Sequence, residues 1–199
     1  MTKRYLRLIL IEFFLIGLLA AFFLSNNYTE DSLRVFIAWA AKLAALFFSL
    51  AFMASSLACF IKASWTADLV KYRPHMGLSF MVFHSAHLIF LGLLQFQFHP
   101  VFDLAARKAL MGGSLAYVFM YMMALTTFPY FKNKLSQKTW NRLHLIGGWW
   151  IWLIFFRSYF KTAIGRNEEY LMFAALSLVL FLRLAYLISS RMKGGSSTD

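Results

Sequence analysis

Long apolar runs, each closed by a short polar stretch, divide the chain into six segments of similar length. They run approximately Tyr5–Leu24, Val35–Ile61, Pro74–Phe96, Lys108–Phe128, Trp140–Phe160 and Tyr170–Ile188. Each is near the ~20 residues a helix needs to cross the hydrocarbon core of a bilayer. The connections are short, no internal repeat is visible, and no loop is large enough to fold separately. The predicted fold is an all-α membrane protein, a six-transmembrane-helix bundle forming one domain over residues 1–190. The Gly/Ser-rich end, residues 191–199, is predicted to be a disordered tail. The first segment follows Lys3, Arg4 and Arg7 in the manner of a signal peptide. It lacks a small-x-small cleavage site before Ser25 and is read as a retained span.

Composition agrees with this pattern. The chain is 61% hydrophobic and 14% charged, whereas soluble domains are about 45–50% apolar and about 25% charged. The formal net charge of +12 raises the question of nucleic acid. The basic residues sit in short loops and form no continuous face, so no nucleic-acid partner is expected.

They act instead as orientation signals. One set of ends carries Lys3, Arg4, Arg7, Lys62, Lys71, Arg73, Lys132, Lys134, Lys138, Arg142, Arg191 and Lys193. The other carries Arg34, Arg107, Lys108, Arg157, Lys161 and Arg166, beside Glu30, Asp31, Asp103, Glu168 and Glu169. Twelve positive residues against six place the first set, and with it both termini, in the cytoplasm. The third and fifth segments then run in parallel from the cytoplasm outward.

The candidate chemistry lies in histidine. Three of the five histidines, His75, His84 and His87, fall in the third segment, and His144 opens the fifth. Imidazole inside an apolar span is costly unless something binds it, and a haem iron held between two helices is a common reason to keep several. Cys59 is the only cysteine, so a Cys-x-x-Cys-His attachment is absent and any haem is non-covalent, b-type. His87, at membrane depth, is the favoured ligand. His84, three residues away on nearly the same face, is a neighbour of the ligand, an alternative ligand or a packing residue. His75 follows Pro74, which suits a first helical turn, and is either interfacial or a ligand of an inner site. His99, in Gln-Phe-His-Pro, reads as a loop residue.

Arg73, then Gly77-Leu78-Ser79-Phe80, then His87 ten residues after the glycine, resembles the third helix of the ferric-reductase-like transmembrane domains. Leu125-Thr126-Thr127-Phe128, a basic loop, and Trp140-Asn141-Arg142-Leu143-His144 resemble that family's approach to its fifth helix. By size the chain is most similar to the haem-binding membrane subunits of bacterial periplasmic methionine sulfoxide reductase systems. The resemblance covers about Ala38 to Ile188. It implies haem iron on His87 and His144, and a bacterial inner (plasma) membrane location with multi-pass topology. The family's usual second histidine of the fifth helix, thirteen residues after the first, is here Arg157.

That departure leaves several arrangements open. His144 is about nine residues shallower than a natural partner of His87, or roughly 13 Å along a helix. Haem spans His87 and His144 despite the offset, or lies nearer the cytoplasm between His75 and His144. A third option is haem on His87 alone, with iron open on its other side and Arg157 on a propionate or an anionic substrate. A fourth is a degenerate chain without haem. Arg157 is equally read as reaching the outer interface.

Lys42, inside the second segment, either snorkels outward or pairs with a haem propionate. Arg183 is expected to reach the cytoplasmic headgroups. The segments are read as lacking mid-helix acids, which argues against a carboxylate proton relay. Trp149, Trp150, Trp152, Phe155 and Phe156 are read first as packing residues. Gly147-Gly148 and Gly112-Gly113 permit close approach of a helix or of a planar cofactor.

The leading expectation is a membrane electron-transfer subunit rather than a complete enzyme. It takes electrons from a cytoplasmic flavin/NAD(P)H reductase or a quinol and delivers them to a periplasmic redox protein or small acceptor. Flavin or quinone comes with a partner, because no Gly-x-Gly-x-x-Gly turn or soluble domain is present. The alternatives are a haem-free scaffold or assembly protein with the same fold and, less favoured, a small transporter.

Overall fold

The computed structural model describes residues 2–26, 29–99, 104–166 and 169–195. They form α1 (Thr2–Asn26), α2 (Glu30–Phe60), α3 (Ser64–Phe98), α4 (Leu104–Leu125), a single turn α5 (Pro129–Lys132), α6 (Gln137–Arg166) and α7 (Tyr170–Gly195). No strand occurs among the described residues. Asp103 and Glu168, counted above for orientation, and residues 196–199 of the expected tail lie outside them. α7 itself continues to Gly195, past Arg191 where the tail was expected to begin.

Local chemistry sets the element ends. The Thr29 hydroxyl accepts from the Ser32 N–H at 3.1 Å, and the Ser32 hydroxyl accepts from the Thr29 N–H at 3.0 Å. This reciprocal cap, with Glu30 and Asp31 in the first turn, offsets the positive end of α2. Only residues 61–63 separate α2 from α3. The buried Thr66 hydroxyl lies 2.8 Å from the carbonyls of both Ile61 and Ala63, tying the link to the new helix. Pro74, expected in a first turn, stands well inside α3. Proline gives no N–H to the carbonyl of Val70, and the helix continues through this loss, as spanning helices do when neighbours compensate.

Contacts between helices give their relative directions. Ile37 meets His87, and Ser55 meets Arg73, so α2 and α3 are antiparallel. Tyr5 packs on His75 and Glu12 bonds Ser79, so α1 runs parallel to α3. Thr126 with His144 and Gly112 with Trp150 make α4 and α6 antiparallel. Lys42 with Glu169 and Phe52 with Arg183 make α2 and α7 parallel. Tyr5, Arg73, Thr126, His144 and Arg183 therefore share one end of the bundle, called here the His144 end. Lys42 and Glu169 mark the opposite half.

The interior is apolar and aromatic, centred on Phe48, Phe52, Phe80, Met120, Ile151, Trp152, Phe155 and Leu176. The outside is apolar as well. Phe14, Trp39, Ile89, Val118, Ile164 and Phe181 are all more than half exposed, one on each long helix. Three helices among the described residues, Glu30–Phe60, Ser64–Phe98 and Tyr170–Ser189, are long and apolar enough to cross a membrane, and Gly112–Leu125 is a shorter apolar helix. An apolar core inside an apolar exterior is the build of an α-helical membrane protein.

Candidate functional site

A cavity of about 470 Å³ opens at the His144 end, within the range of roughly 300–1,000 Å³ usual for cofactor sites. Its walls come from Tyr5 of α1, Phe48, Ala51 and Phe52 of α2, and Arg73, Pro74, Gly77 and Phe80 of α3. Met120, Met123 and Ala124 of α4 add to them, with Thr126, Thr127, Pro129, Lys132 and Asn133 of the following turns and Trp140, His144 and Gly148 of α6. The lining is mostly apolar, with Arg73, Lys132 and His144 as its basic groups and no aspartate or glutamate among them.

His144 is held on two sides. Its Nε2 lies 3.0 Å from the Thr126 hydroxyl, which is also 2.9 Å from the Met123 carbonyl. A hydroxyl has one proton. When that proton goes to the carbonyl, Thr126 Oγ1 accepts from Nε2–H, and Nδ1 carries the lone pair. The ring packs on Trp140 at 4.2 Å, and Lys132 Nζ sits 5.2 Å from the centre of the same indole. Arg73 Nη1 donates to Ser55 Oγ at 3.2 Å, which anchors the guanidinium to α2.

Gly148 and Gly147 explain how α6 comes so close. A Cβ on Gly148 would stand 2.9 Å from Phe52 Cε2, and one on Gly147 would stand 2.7 Å from Met123 Sδ. Both glycines therefore serve helix approach, and Gly148 also bounds the cavity. Gly112 does the same less tightly, 3.3 Å from Ile154 Cδ1, while its carbonyl accepts from Trp150 Nε1. Trp149, Trp150, Trp152, Phe155 and Phe156 do not line the cavity and pack between helices.

The other expected ligands stand elsewhere. His87 donates Nδ1–H to the Ile37 carbonyl at 3.0 Å, because a carbonyl can only accept. Its Nε2 is thereby the lone-pair nitrogen. His84 stacks between Tyr117 at 4.6 Å and His87 at 5.3 Å, with Phe155 at 5.2 Å and Phe80 at 5.5 Å. Its Nδ1 is buried with no hydrogen-bond partner. Neither residue lines the cavity, and His87 lies seven residues beyond Phe80, roughly 10 Å along α3. His87 and His144 therefore do not both line this cavity. His75 packs edge-on against Tyr5 at 4.8 Å and Tyr72 at 5.7 Å, next to the cavity but not in its wall. His99 caps α3 in the left-handed region, φ 45°.

Two charged residues also differ from expectation. Lys42 pairs with Glu169 Oε1 at 2.6 Å and lies over Trp39 at 5.0 Å, so its charge is used between α2 and α7. Arg183 does not reach outward: it is buried against Phe52. Arg157 is exposed.

Glu12 corrects the reading that the segments lack mid-helix acids. It sits half-buried in α1 and accepts from the buried Ser79 hydroxyl at 2.6 Å. An acid seven residues into an apolar run was visible in the sequence. Lys132 appeared there only as an orientation charge and Arg73 also as the start of the third-segment motif, and nothing local marked either as a cavity residue. Among the described residues no group of three or more His, Cys, Asp or Glu side chains is placed to hold a metal ion.

A scan against protein-family models finds no matching family. Searches of curated proteins and of solved structures find no match either. The likeness to ferric-reductase-like domains rests on the short motifs quoted above.

Proposed function

We propose that this chain is the b-type haem-binding membrane subunit of an electron-transfer system, and that its haem site is the cavity at the His144 end. One observation carries the reading: an imidazole, two basic side chains and a cofactor-sized apolar void coincide there. His144 would serve as the axial imidazole, its ring oriented by Thr126 and Trp140. Arg73 and Lys132 would neutralise the two propionates, which need cations in an apolar setting. Phe48, Phe52 and Phe80 exclude water. Haem, when bound, supplies one-electron transfer, which side chains alone do not.

A single histidine in the lining makes the site unlike a bis-histidine centre. The other iron-ligand types in the wall are the thioethers of Met120 and Met123. The proposal includes six spans, both termini on the cytoplasmic side and a bacterial inner-membrane location, supported by the twelve-to-six excess of Lys and Arg. Electrons come from a partner, either a cytoplasmic flavin reductase or quinol, and leave to a periplasmic acceptor.

A second reading has its own observation. His87 gives Nδ1–H to a backbone carbonyl, the arrangement that orients ligating histidines, which favours haem on α3. Against it, aromatic rings pack closely around neighbouring His84. The absorption spectrum of protein produced with ample haem tests the function itself. A Soret band with a reducible α-band is expected, whereas a colourless protein leaves the haem-free scaffold.

A further inference from the structure

Arg183 of α7 is a buried cation near this end, and it stands outside the cavity wall. It is 8% exposed, and its Nε has no hydrogen-bond partner. The guanidinium lies over the Phe52 ring at 4.5 Å and beside Tyr186 at 5.9 Å. Arg73, bonded to Ser55, and Arg183, over Phe52, meet α2 within one turn of each other. Ser56, one turn beyond Phe52 on the same face of α2, is 0% exposed, and its hydroxyl also has no partner. The ion pairs found among the described residues, Arg34–Glu30 and Lys42–Glu169, both lie toward the other end of α2.

A guanidinium withdrawn from water loses much of its hydration. Contact with an aromatic face replaces only part of it, and a like-charged neighbour adds repulsion. Two arginines around one junction, with no ion-pairing acid among the described residues, suit an anion. The planar arginine fork matches phosphate oxygens two at a time. Basic pockets between spanning helices at the cytoplasmic headgroup level are where anionic lipid heads bind.

We propose that α2, α3 and α7 form a phosphate-binding site at the His144 end, in which Arg183 and Arg73 grip the phosphate and Ser56 donates a further hydrogen bond. The phosphate belongs to an anionic phospholipid head or is free in solution; the chemistry at the arginines is the same. Arg183 and Ser56 lie outside the cavity wall, while Arg73 lines it and is shared between the two sites.

The test uses the full chain, delipidated in detergent, with thermal unfolding followed during titration. Phosphatidylglycerol in mixed micelles is expected to raise Tm by several degrees, and phosphatidylcholine by much less. A rise with inorganic phosphate instead identifies the free anion as the source and still supports the site. Arg183→Gln is expected to abolish the rise and Ser56→Ala to weaken it. No rise with either probe, or an equal rise in Arg183→Gln, overturns the proposal. Should Arg183→Gln not fold, native mass spectrometry of the wild-type protein decides: a retained phospholipid or phosphate supports the site, and a bare chain after phosphatidylglycerol addition overturns it. Haem absorbance recorded on the same samples keeps this result separate from the haem reading.

Discussion

At the scale of single residues, Gly148 controls the cavity more directly than any histidine. A Cβ there meets Phe52 at 2.9 Å, and Phe52 both lines the cavity and lies under Arg183. Gly148→Ala is expected to cost about 1–3 kcal/mol, the usual penalty for overpacking. Denaturant unfolding of the detergent-solubilised protein measures it, and unchanged stability would show that the Phe52 ring gives way freely. Little of this was legible in sequence. The pair Gly147-Gly148 signalled close approach, but not which ring it admits. The histidines were legible as candidates because imidazole is rare in apolar runs. Their partners were not: the carbonyl that fixes the His87 tautomer belongs to Ile37, fifty residues away in the chain.

At the scale of elements, the least expected feature is the clasp between α2 and α7. Lys42 and Glu169 meet at 2.6 Å with side chains 29% and 24% exposed. Exposed pairs contribute about 0–1 kcal/mol and breaking buried ones costs about 3–5 kcal/mol, so a coupling of about 1–2 kcal/mol is expected here. A double-mutant cycle with Lys42→Met and Glu169→Gln measures it. Additive effects of the two substitutions would remove the clasp from the account. Helix identities were legible because each apolar run is long, but helix ends were less so. Pro74 reads as a start because proline fits the first turn, yet Ala63 and Thr66 set the true start ten residues earlier. The turn α5 has four residues, too few for any periodicity to show. It nonetheless brings Lys132 into the cavity wall.

At the scale of the whole molecule, the basic residues and the cavity lie together. Arg73, Lys132 and His144 line it, Arg183 stands behind it, and Tyr5 of α1 closes its edge. The positive excess that would set orientation and the cations that would hold an anionic ligand are partly the same residues. With six spans, tags on both termini are expected to be protected from protease in intact spheroplasts and cleaved after permeabilisation. Cleavage of either tag in intact spheroplasts would contradict the orientation. The same expectation places the cavity where a cytoplasmic reductase delivers electrons. The sequence motifs pointed to His87 as the first ligand, and the cavity beside His144 moves the proposal to that residue. Haem absorbance of His144→Ala beside His87→Ala, each produced with ample haem, tests this most directly. The expected result is a Soret band lost in His144→Ala and kept in His87→Ala; a band kept in His144→Ala and lost in His87→Ala would contradict it.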